Sequence, residues 1–162
     1  MAATLGIGWA WQTVFKRKFR YLFTIPGVCD DNIFTLPSLT AARPSIKFDS
    51  ITVPHLQETI SFPSRPNFDP ISLTLYDVQA SNPVWNWILQ LYNPSFGLYS
   101  KGNAFKKLCR IHTLDGCGNP LETWILEGAY CESANFGALD MSSSDVLTVD
   151  ISVKFDRAYR TT

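Results

Sequence analysis

In the stretch Val146-Leu-Thr-Val-Asp-Ile-Ser-Val-Lys-Phe155, apolar and polar residues alternate strictly from Leu147 onward. Such alternation predicts a β-strand with one buried face and one solvated face. Two more strands are predicted shortly before it, at Leu108–Leu114 and Thr123–Ala129, on either side of the Gly-rich turn Asp115-Gly-Cys-Gly-Asn-Pro120. A hairpin followed by a closing strand indicates an antiparallel β scaffold, and no catalytic motif accompanies these strands.

Upstream of these strands, alternation and turn residues predict several others. They lie at Phe19–Ile25, Ser45–Val53, Glu58–Phe62 and Ile71–Asp77. In the second of them, Ile46, Phe48 and Ile51 are expected to point inward. The segment 28–45 is predicted to be a loop. The four prolines from Pro54 to Pro70 indicate an extended excursion around a short strand, because proline is confined to sheet edges and turns.

One helix is predicted, over Pro83–Tyr92. Pro83 suits the first turn of a helix, and Asn93-Pro94 ends it. Helical spacing places four apolar residues on one face: Val84, Trp87, Ile88 and Leu91. Trp85 lies off that face and is expected to meet a second surface or solvent.

This order of elements predicts a mostly β, α+β domain, built as an antiparallel β-barrel or sandwich with one short α-helix. A chain of 162 residues, 46% of them hydrophobic, suits a single domain with a hydrophobic core. We expect that domain to span 16–162. Residues 1–15 are uncharged and show neither the alternation of a strand nor the spacing of an amphipathic helix. They are expected to form an N-terminal arm that packs on its own domain or on a neighbour.

The charge balance excludes some partners. Fourteen basic and fourteen acidic residues give zero net charge, so no global attraction to nucleic acid or to anionic membrane is expected. No stretch resembles a transmembrane span. The cluster Lys16-Arg17-Lys18 follows the apolar start instead of preceding it, which is the wrong order for a secretory signal. That cluster suits a solvated sheet edge better than a phosphate-facing patch. We expect synthesis in the cytoplasm and no membrane anchor.

The candidate reactive residues do not form a recognisable site. The four cysteines contain no CxxC pair. Cys109 and His112 could form a metal site with Cys117 and Cys131, but Cys109 and His112 would point to opposite faces of one strand. Neither His55 nor His112 lies in a GxSxG or HExxH pattern. We therefore expect neither a cofactor nor an enzyme.

Several segments, taken in order, carry a resemblance to a known family. They are Lys18–Ile25, 43–65, Phe68–Asp77, Asn82–Leu91, Ile111-x-x-Leu-Asp-Gly116, Trp124-x-Leu-x-Gly128 and Leu139–Val149. In these segments the chain resembles the tail tube protein of contractile-tailed bacteriophages, a family whose fold is shared with the Hcp tube protein of type VI secretion systems. The apolar arm and the Cys-rich hairpin are departures from the family pattern.

The resemblance implies a structural virion protein. Its protomers would form hexameric rings, and the rings would stack into a tube inside the tail sheath. Baseplate and tail terminator proteins would bound the tube, and double-stranded DNA would pass through the lumen without specific binding. The protein would be assembled in the cytoplasm of the bacterial host and would end in the tail of the virion.

Two sets of residues are candidates for these roles. The Pro-bounded excursion 43–66 is predicted to contact the next ring, because its prolines lower the entropy lost on docking. The predicted contact residues of the excursion and of the arm are Ile51, Val53, Leu56 and Ile60, with Trp9 and Trp11. The polar face of the closing strand is compatible with a lumen and equally with ordinary solvent; it comprises Thr148, Asp150, Ser152 and Lys154.

Other functions remain open at this point. A baseplate protein that initiates the tube would share the fold but form a single ring, and an Hcp-type secreted tube is a close relative. From a different class, a monomeric ligand-binding β-barrel could use a pocket of aromatic residues: Trp85, Trp87, Trp124 and Tyr130.

Overall fold

The computed structural model describes residues 16–26, 38–77 and 83–161. The predicted arm, 1–15, with Trp9 and Trp11, lies outside the described residues, as does Cys29. The first strands of the described part are β1 (Tyr21–Thr24), β2 (Ser38–Ala41), β3 (Ile46–His55), β4 (Glu58–Phe68) and β5 (Ile71–Tyr76).

Two helices and six strands follow β5 in the described residues. They are α1 (Pro83–Leu91), β6 (Tyr92–Asn93), β7 (Leu98–Tyr99), α2 (Gly102–Phe105), β8 (Lys107–Leu114), β9 (Pro120–Asn135), β10 (Thr148–Lys154) and β11 (Arg157–Thr161). All strand pairs among them are antiparallel.

The long strand β9 organises the main sheet. Its first half pairs with β8 on one side and with β11 on the other, and its second half pairs with β10. The sheet order is β1-β8-β9-β10-β5-β2, with β11 attached to β9. The first and last strands of this order come close, because the Tyr21 hydroxyl donates a hydrogen bond to the Ser38 carbonyl at 3.1 Å. The sheet therefore curls like a sandwich but is not closed into a barrel by a ladder between β1 and β2.

The core lies between the two halves of this curled sheet and is covered by α1. It follows the predicted alternation, because Ile71, Leu73 and Leu75 of β5 and Val149, Ile151 and Val153 of β10 are all buried. Cys109, Ile111 and Leu126 fill the opposite half, together with Phe23 and Trp87. Burying these apolar side chains supplies the main favourable free energy of folding. The mostly β, antiparallel fold that the sequence predicts is confirmed.

Several details differ from the predictions. The strand predicted at Glu58–Phe62 continues to Phe68 through two prolines, which β4 tolerates because it pairs on one side only. Part of the predicted loop 28–45 forms β2, which pairs with β5. The terminal strand β11 and the short helix α2 were not predicted. Phe19 is exposed, since β1 begins two residues later.

Candidate assembly surfaces

The hairpin formed by β3 and β4 projects from the domain. Its strands pair with each other and with no other strand of the described residues. Its base is fixed by a Lys47–Asp69 ion pair at 2.7 Å and by the ring contact of Phe68 with Phe155, whose centroids lie 5.6 Å apart. Every residue of β3 is exposed, and in β4 only Ser64 and Phe68 are partly covered. The inward orientation predicted for Ile46, Phe48 and Ile51 is wrong, because this segment has left the core.

The exposed hairpin has one apolar face. Residues that lie directly opposite across two antiparallel strands point to the same side. Ile51 lies opposite Phe62, and Val53 lies opposite Ile60. These four side chains are about half exposed, and Leu56 at the tip is 97% exposed with a positive φ of 51°. An apolar face of this kind in water marks an interaction surface.

Four of the predicted contact residues therefore lie together on the hairpin: Ile51, Val53, Leu56 and Ile60. Phe62 was missed, because the sequence alone did not reveal that it lies opposite Ile51. Ile46 and Phe48 near the base are also exposed and were assigned to the core.

The predicted polar face of β10 continues across its neighbours. Asp150 lies opposite Thr74 of β5 and Asn135 of β9, so all three point to one side of the sheet. The Thr74 hydroxyl donates to the Asp150 carboxylate at 2.7 Å. Lys154 forms an ion pair with Glu132 at 3.6 Å, and the Ser152 hydroxyl donates to the same carboxylate at 3.4 Å. The face is polar, and its charged side chains have hydrogen-bond or ion-pair partners within it.

A third surface is a groove between the edge strands β1 and β2. It has a volume of about 570 Å³. The residues that line its rim and floor are Lys16, Arg17, Lys18, Phe19, Tyr21, Leu39, Thr40, Ala41, Arg43, Ile111 and Thr113. Lys16 is neutralised by Glu122, which is 4% exposed and also accepts a hydrogen bond from the Trp124 indole. Arg17, Lys18 and Arg43 pair with no carboxylate among the described residues.

The four aromatic residues of the binding-barrel hypothesis have separate environments. Trp87 is buried and donates its indole N–H to the Phe105 carbonyl at 3.0 Å. Trp85 meets a second surface, as expected, with its ring 5.9 Å from that of Phe136. Tyr130 contacts Phe105, and Trp124 packs at the edge of the core. Neither the groove beside β1 nor a cleft under 137–148 includes any of the four.

The cysteines and His112 show no shared site. Cys109 is buried on the core side of β8, where burial raises the pKa of its thiol to about 12. His112 lies on the other side, with Nδ1 2.9 Å from the Thr123 hydroxyl. Within 16–26, 38–77 and 83–161, no three His, Cys, Asp or Glu residues are placed to hold a metal ion. None of the helices in those segments has the length and apolarity needed to span a bilayer.

Three solved structures have a similar fold. The sheath-tube complex of an extracellular contractile injection system, PVC, in its extended state contains a chain with TM-score 0.74 and 17% identity, covering 98% of this chain and 99% of that one. A chain from the tube terminating cap of the anti-feeding prophage has a TM-score of 0.75 and 19% sequence identity, and the match covers 93% of each chain. Hcp1 from Salmonella typhimurium has a TM-score of 0.55 and 10% sequence identity, and the match covers 86% of this chain and 83% of that one.

The sequence itself matches a family. No curated protein has a sequence similar enough to match the chain. The family model of the T4-like virus tail tube protein gp19 matches residues 17–158, which is most of the chain and all of its described strands up to the start of β11. The chain therefore belongs to the T4-like virus tail tube protein gp19 family.

Proposed function

We propose that the chain is a protomer of a tail tube, which assembles as hexameric rings stacked inside a contractile sheath. The single observation that carries this proposal is the hairpin β3–β4, which presents an apolar face to solvent in the isolated chain. A two-stranded hairpin is marginally stable in water at best. Because the four facing side chains of the hairpin are already about half covered, complete burial of each against a neighbour would contribute about 1 kcal/mol. Because the chain belongs to a family of tube proteins, we propose that a second copy of the chain covers the apolar face of the hairpin.

The hairpin supports contact between successive rings in particular. It extends beyond the main sheet, and its prolines at 54, 63 and 66 reduce the freedom that the chain loses on docking. Ile51, Val53 and Ile60, together with Phe62, would supply the buried area, and Leu56 would reach furthest. Trp9 and Trp11 of the arm are proposed as a second set of contacts.

The polar face of β10 is proposed to line the lumen. Thr148, Asp150 and Ser152 offer short polar side chains, and Lys154 is paired with the carboxylate of Glu132. Such a face has little tendency to hold DNA, because tight non-specific binding needs several unpaired lysines or arginines. Double-stranded DNA would then pass through the tube without specific binding.

The remaining partners follow from the same assignment. We propose contacts with a tail sheath protein along the tube, with baseplate proteins at one end and with a tail terminator at the other. The location would be the tail of a phage-like particle, built in the cytoplasm of the host. The family is one of structural tube proteins, and we assign the chain no enzymatic role.

A second candidate within the same fold is a protein that forms a single ring at one end of the tube. The fold is as similar to the tube terminating cap of the anti-feeding prophage, at TM-score 0.75, as to the chain of the PVC sheath-tube complex, at 0.74. A baseplate protein that initiates the tube is included in this candidate. Growth beyond one ring distinguishes a tube protein from either end protein.

The test is electron microscopy of the purified chain over a concentration series, with a hairpin variant beside it. The variant is Ile51→Ser/Val53→Ser/Ile60→Ser/Phe62→Ser, which makes the apolar face polar. The matched control, Thr52→Ala/Ser61→Ala, changes the opposite face of the same strands. We expect stacked rings or tubes from the wild type and the control, and single rings or monomers from the variant with unchanged thermal unfolding.

The outcomes separate the candidates. Wild-type rings that never stack, even with preformed tube ends added, would favour a single-ring end protein. Wild-type monomers at every concentration, with quenching of tryptophan fluorescence by small apolar ligands, would favour the binding barrel.

A further inference from the structure

Two exposed features of the described chain have no role in the assignment so far. One is the groove between β1 and β2, which we call the basic groove. The other is the loop 136–147, which we call the acidic loop and which links β9 to β10. The groove carries positive charge and the loop carries negative charge, and both expose apolar side chains. They are formed by different residues of the molecule.

The basic groove combines positive charge with an apolar floor. Arg17, Lys18 and Arg43 stand at its rim without a carboxylate partner among the described residues. Phe19 and Leu39 beside them are exposed apolar side chains. A surface with unpaired cations around exposed apolar groups is suited to an anionic partner that also carries apolar side chains.

The acidic loop has that composition. Asp140 and Asp145 are its charged residues, and Leu139 and Met141 are almost fully exposed. Neither carboxylate forms an ion pair with a described residue. A hydrogen bond from the Ser142 backbone N–H lowers the pKa of Asp140, so this carboxylate keeps its charge well below neutral pH.

The loop is also held in one shape. The Ser142 N–H and hydroxyl both donate to the Asp140 carboxylate, at 2.9 and 2.7 Å. The Ser143 hydroxyl donates to Asp145 at 3.0 Å and accepts from the Asp145 N–H at 3.1 Å. A pre-ordered loop loses less conformational entropy when it binds, so more of its contact energy appears as affinity.

We propose that the acidic loop of one protomer docks into the basic groove of a second copy of this chain. Asp140 and Asp145 would face Arg17, Lys18 and Arg43, and Leu139 and Met141 would cover Phe19 and Leu39. This inference rests on the proposed self-assembly and adds a second contact to the hairpin, one that depends on charge.

The two surfaces are built from different residues of the chain. The β1 side of the groove is tied to the start of β9 through the Lys16–Glu122 ion pair and to the end of β8 through the hydrogen bond from the Leu114 N–H to the Arg20 carbonyl. The β2 side of the groove is joined to the main sheet through β5. The acidic loop follows directly after Asn135, the last residue of β9. Complementary surfaces at different places on one molecule join head to tail, which gives rings where the rotation closes and filaments where it does not.

The test is a charge swap in the full-length chain, followed by sedimentation velocity and electron microscopy. The loop variant is Asp140→Lys/Asp145→Lys, and the groove variant is Arg17→Glu/Lys18→Glu. The third chain carries all four changes. We expect each reversal to raise the concentration needed for assembly by about tenfold or more, and the four-change chain to recover most of the loss, because its opposite charges face each other again.

Two control chains separate charge from loop shape. Asp140→Asn/Asp145→Asn keeps side-chain oxygens that can accept the Ser142 and Ser143 hydrogen bonds, and Arg17→Gln/Lys18→Gln keeps long polar side chains. We expect both to assemble more weakly than the wild type, with a smaller dependence on salt than the wild type shows. Far-ultraviolet circular dichroism checks that every chain is folded.

The outcomes distinguish this inference from the proposed function. Tubes that form equally well in all chains, or a four-change chain no better than the single reversals, would overturn the docking and leave the tube assignment intact. Self-association into non-tubular oligomers that is lost on reversal and restored by the swap would support the docking and contradict the tube. A wild type that is monomeric at every concentration would overturn both.

Discussion

At the scale of single residues, Gly128 lies at the point in β9 where the strand stops pairing with β11 and begins to pair with β10. Its φ is +67°, a conformation that residues with a Cβ adopt only with strain. A Cβ at this position would also overlap the carboxylate of Asp156. The carboxylate can rotate only by giving up its ion pair with Lys106, and the Asp156 Cβ, fixed by the N–H bond of Asp156 to the Glu127 carbonyl at 3.0 Å, would still lie 3.3 Å from the new methyl group. The site lies where pairing passes from β11 to β10.

Gly128→Ala is therefore expected to destabilise the fold by more than backbone strain alone. Gly118→Ala is the matched control, since Gly118 has φ +90° with open space around it. We expect the control to lose about 1 kcal/mol and Gly128→Ala to lose roughly 1–3 kcal/mol more, measured by urea unfolding. Equal losses for the two variants would show that the contact with Asp156 contributes nothing.

The cysteines give a prediction about pH. Burial raises the pKa of the Cys109 thiol to about 12 and that of Cys131 to about 11, both above the 9.0 of an unperturbed thiol. Because the folded pKa is the higher one, this contribution to stability is complete below about pH 9 and is lost as the pH rises towards 12. At pH 8 we expect iodoacetamide to modify the exposed Cys117 and to leave Cys109 and Cys131 intact until urea unfolds the chain. Peptide mapping by mass spectrometry measures the labelling of each cysteine separately. Rapid labelling of Cys109 in the native protein would contradict its burial in the core.

At the scale of elements, Trp87 is the larger of the two buried side chains that hold α1 to the domain, the other being Val84. Trp87 is 1% exposed and bonds the Phe105 carbonyl, whereas Trp85 in the same helix is 44% exposed. We expect Trp87→Ala to cost about 3–5 kcal/mol in unfolding free energy, since it leaves a cavity and an unpaired carbonyl. Trp85→Ala in the same helix is expected to cost less, because Trp85 is 44% exposed and its truncation leaves a smaller buried cavity. Similar losses in a urea titration would mean that α1 docks through its other face.

The hairpin strand β3 and the core strand β5 have similar sequence patterns, but the apolar face of β3 is exposed and that of β5 is buried. The segment with Ile51 and Val53 alternates as clearly as the strand with Ile71 and Leu73. In β5 the apolar face is covered by the sheet on the other side of the core, and in β3 nothing in the described chain covers it. Alternation thus identifies a strand with one apolar face, and the surroundings of that face decide whether it is a core or an interface.

At the scale of the whole molecule, the proposed lumen face makes a prediction about DNA. Asp150→Lys replaces a negative charge on the polar face of β10 with a positive one, a net change of +2 per protomer. If that face lines the tube, assembled tubes of the variant should retain double-stranded DNA at low salt and release it as salt rises, because the added lysines would displace counterions along the DNA. The matched control, Ser100→Lys/Asn103→Lys, adds the same charge at exposed positions beside α2.

The measurement is co-sedimentation of tubes with linear DNA shorter than the tube. Retention by Asp150→Lys that is protected from nuclease, with only nuclease-sensitive binding by the control, would support the assignment of the lumen. Nuclease-sensitive binding in both variants would place the β10 face on the outside of the tube.

Much of this architecture could be predicted from the sequence by itself. The alternation at Ile71–Tyr76 and Thr148–Lys154 and the helical spacing of Val84 and Trp87 are local patterns, and local patterns are set by backbone geometry. The Gly-rich turn before β9 likewise depends on residues a few positions apart. The antiparallel β fold and the tail tube family were therefore within reach of the sequence.

The rest was decided only by the tertiary structure. The short strand β2 exists because β5 offers it a paired edge, and β11 exists because β9 does. The exposure of Ile46 and Phe48, the alignment of Phe62 with Ile51, and the groove between β1 and β2 all depend on contacts between residues far apart in the chain. Burial and pairing are non-local, so no window of sequence contains them, whereas periodicity is local and is visible in every strand.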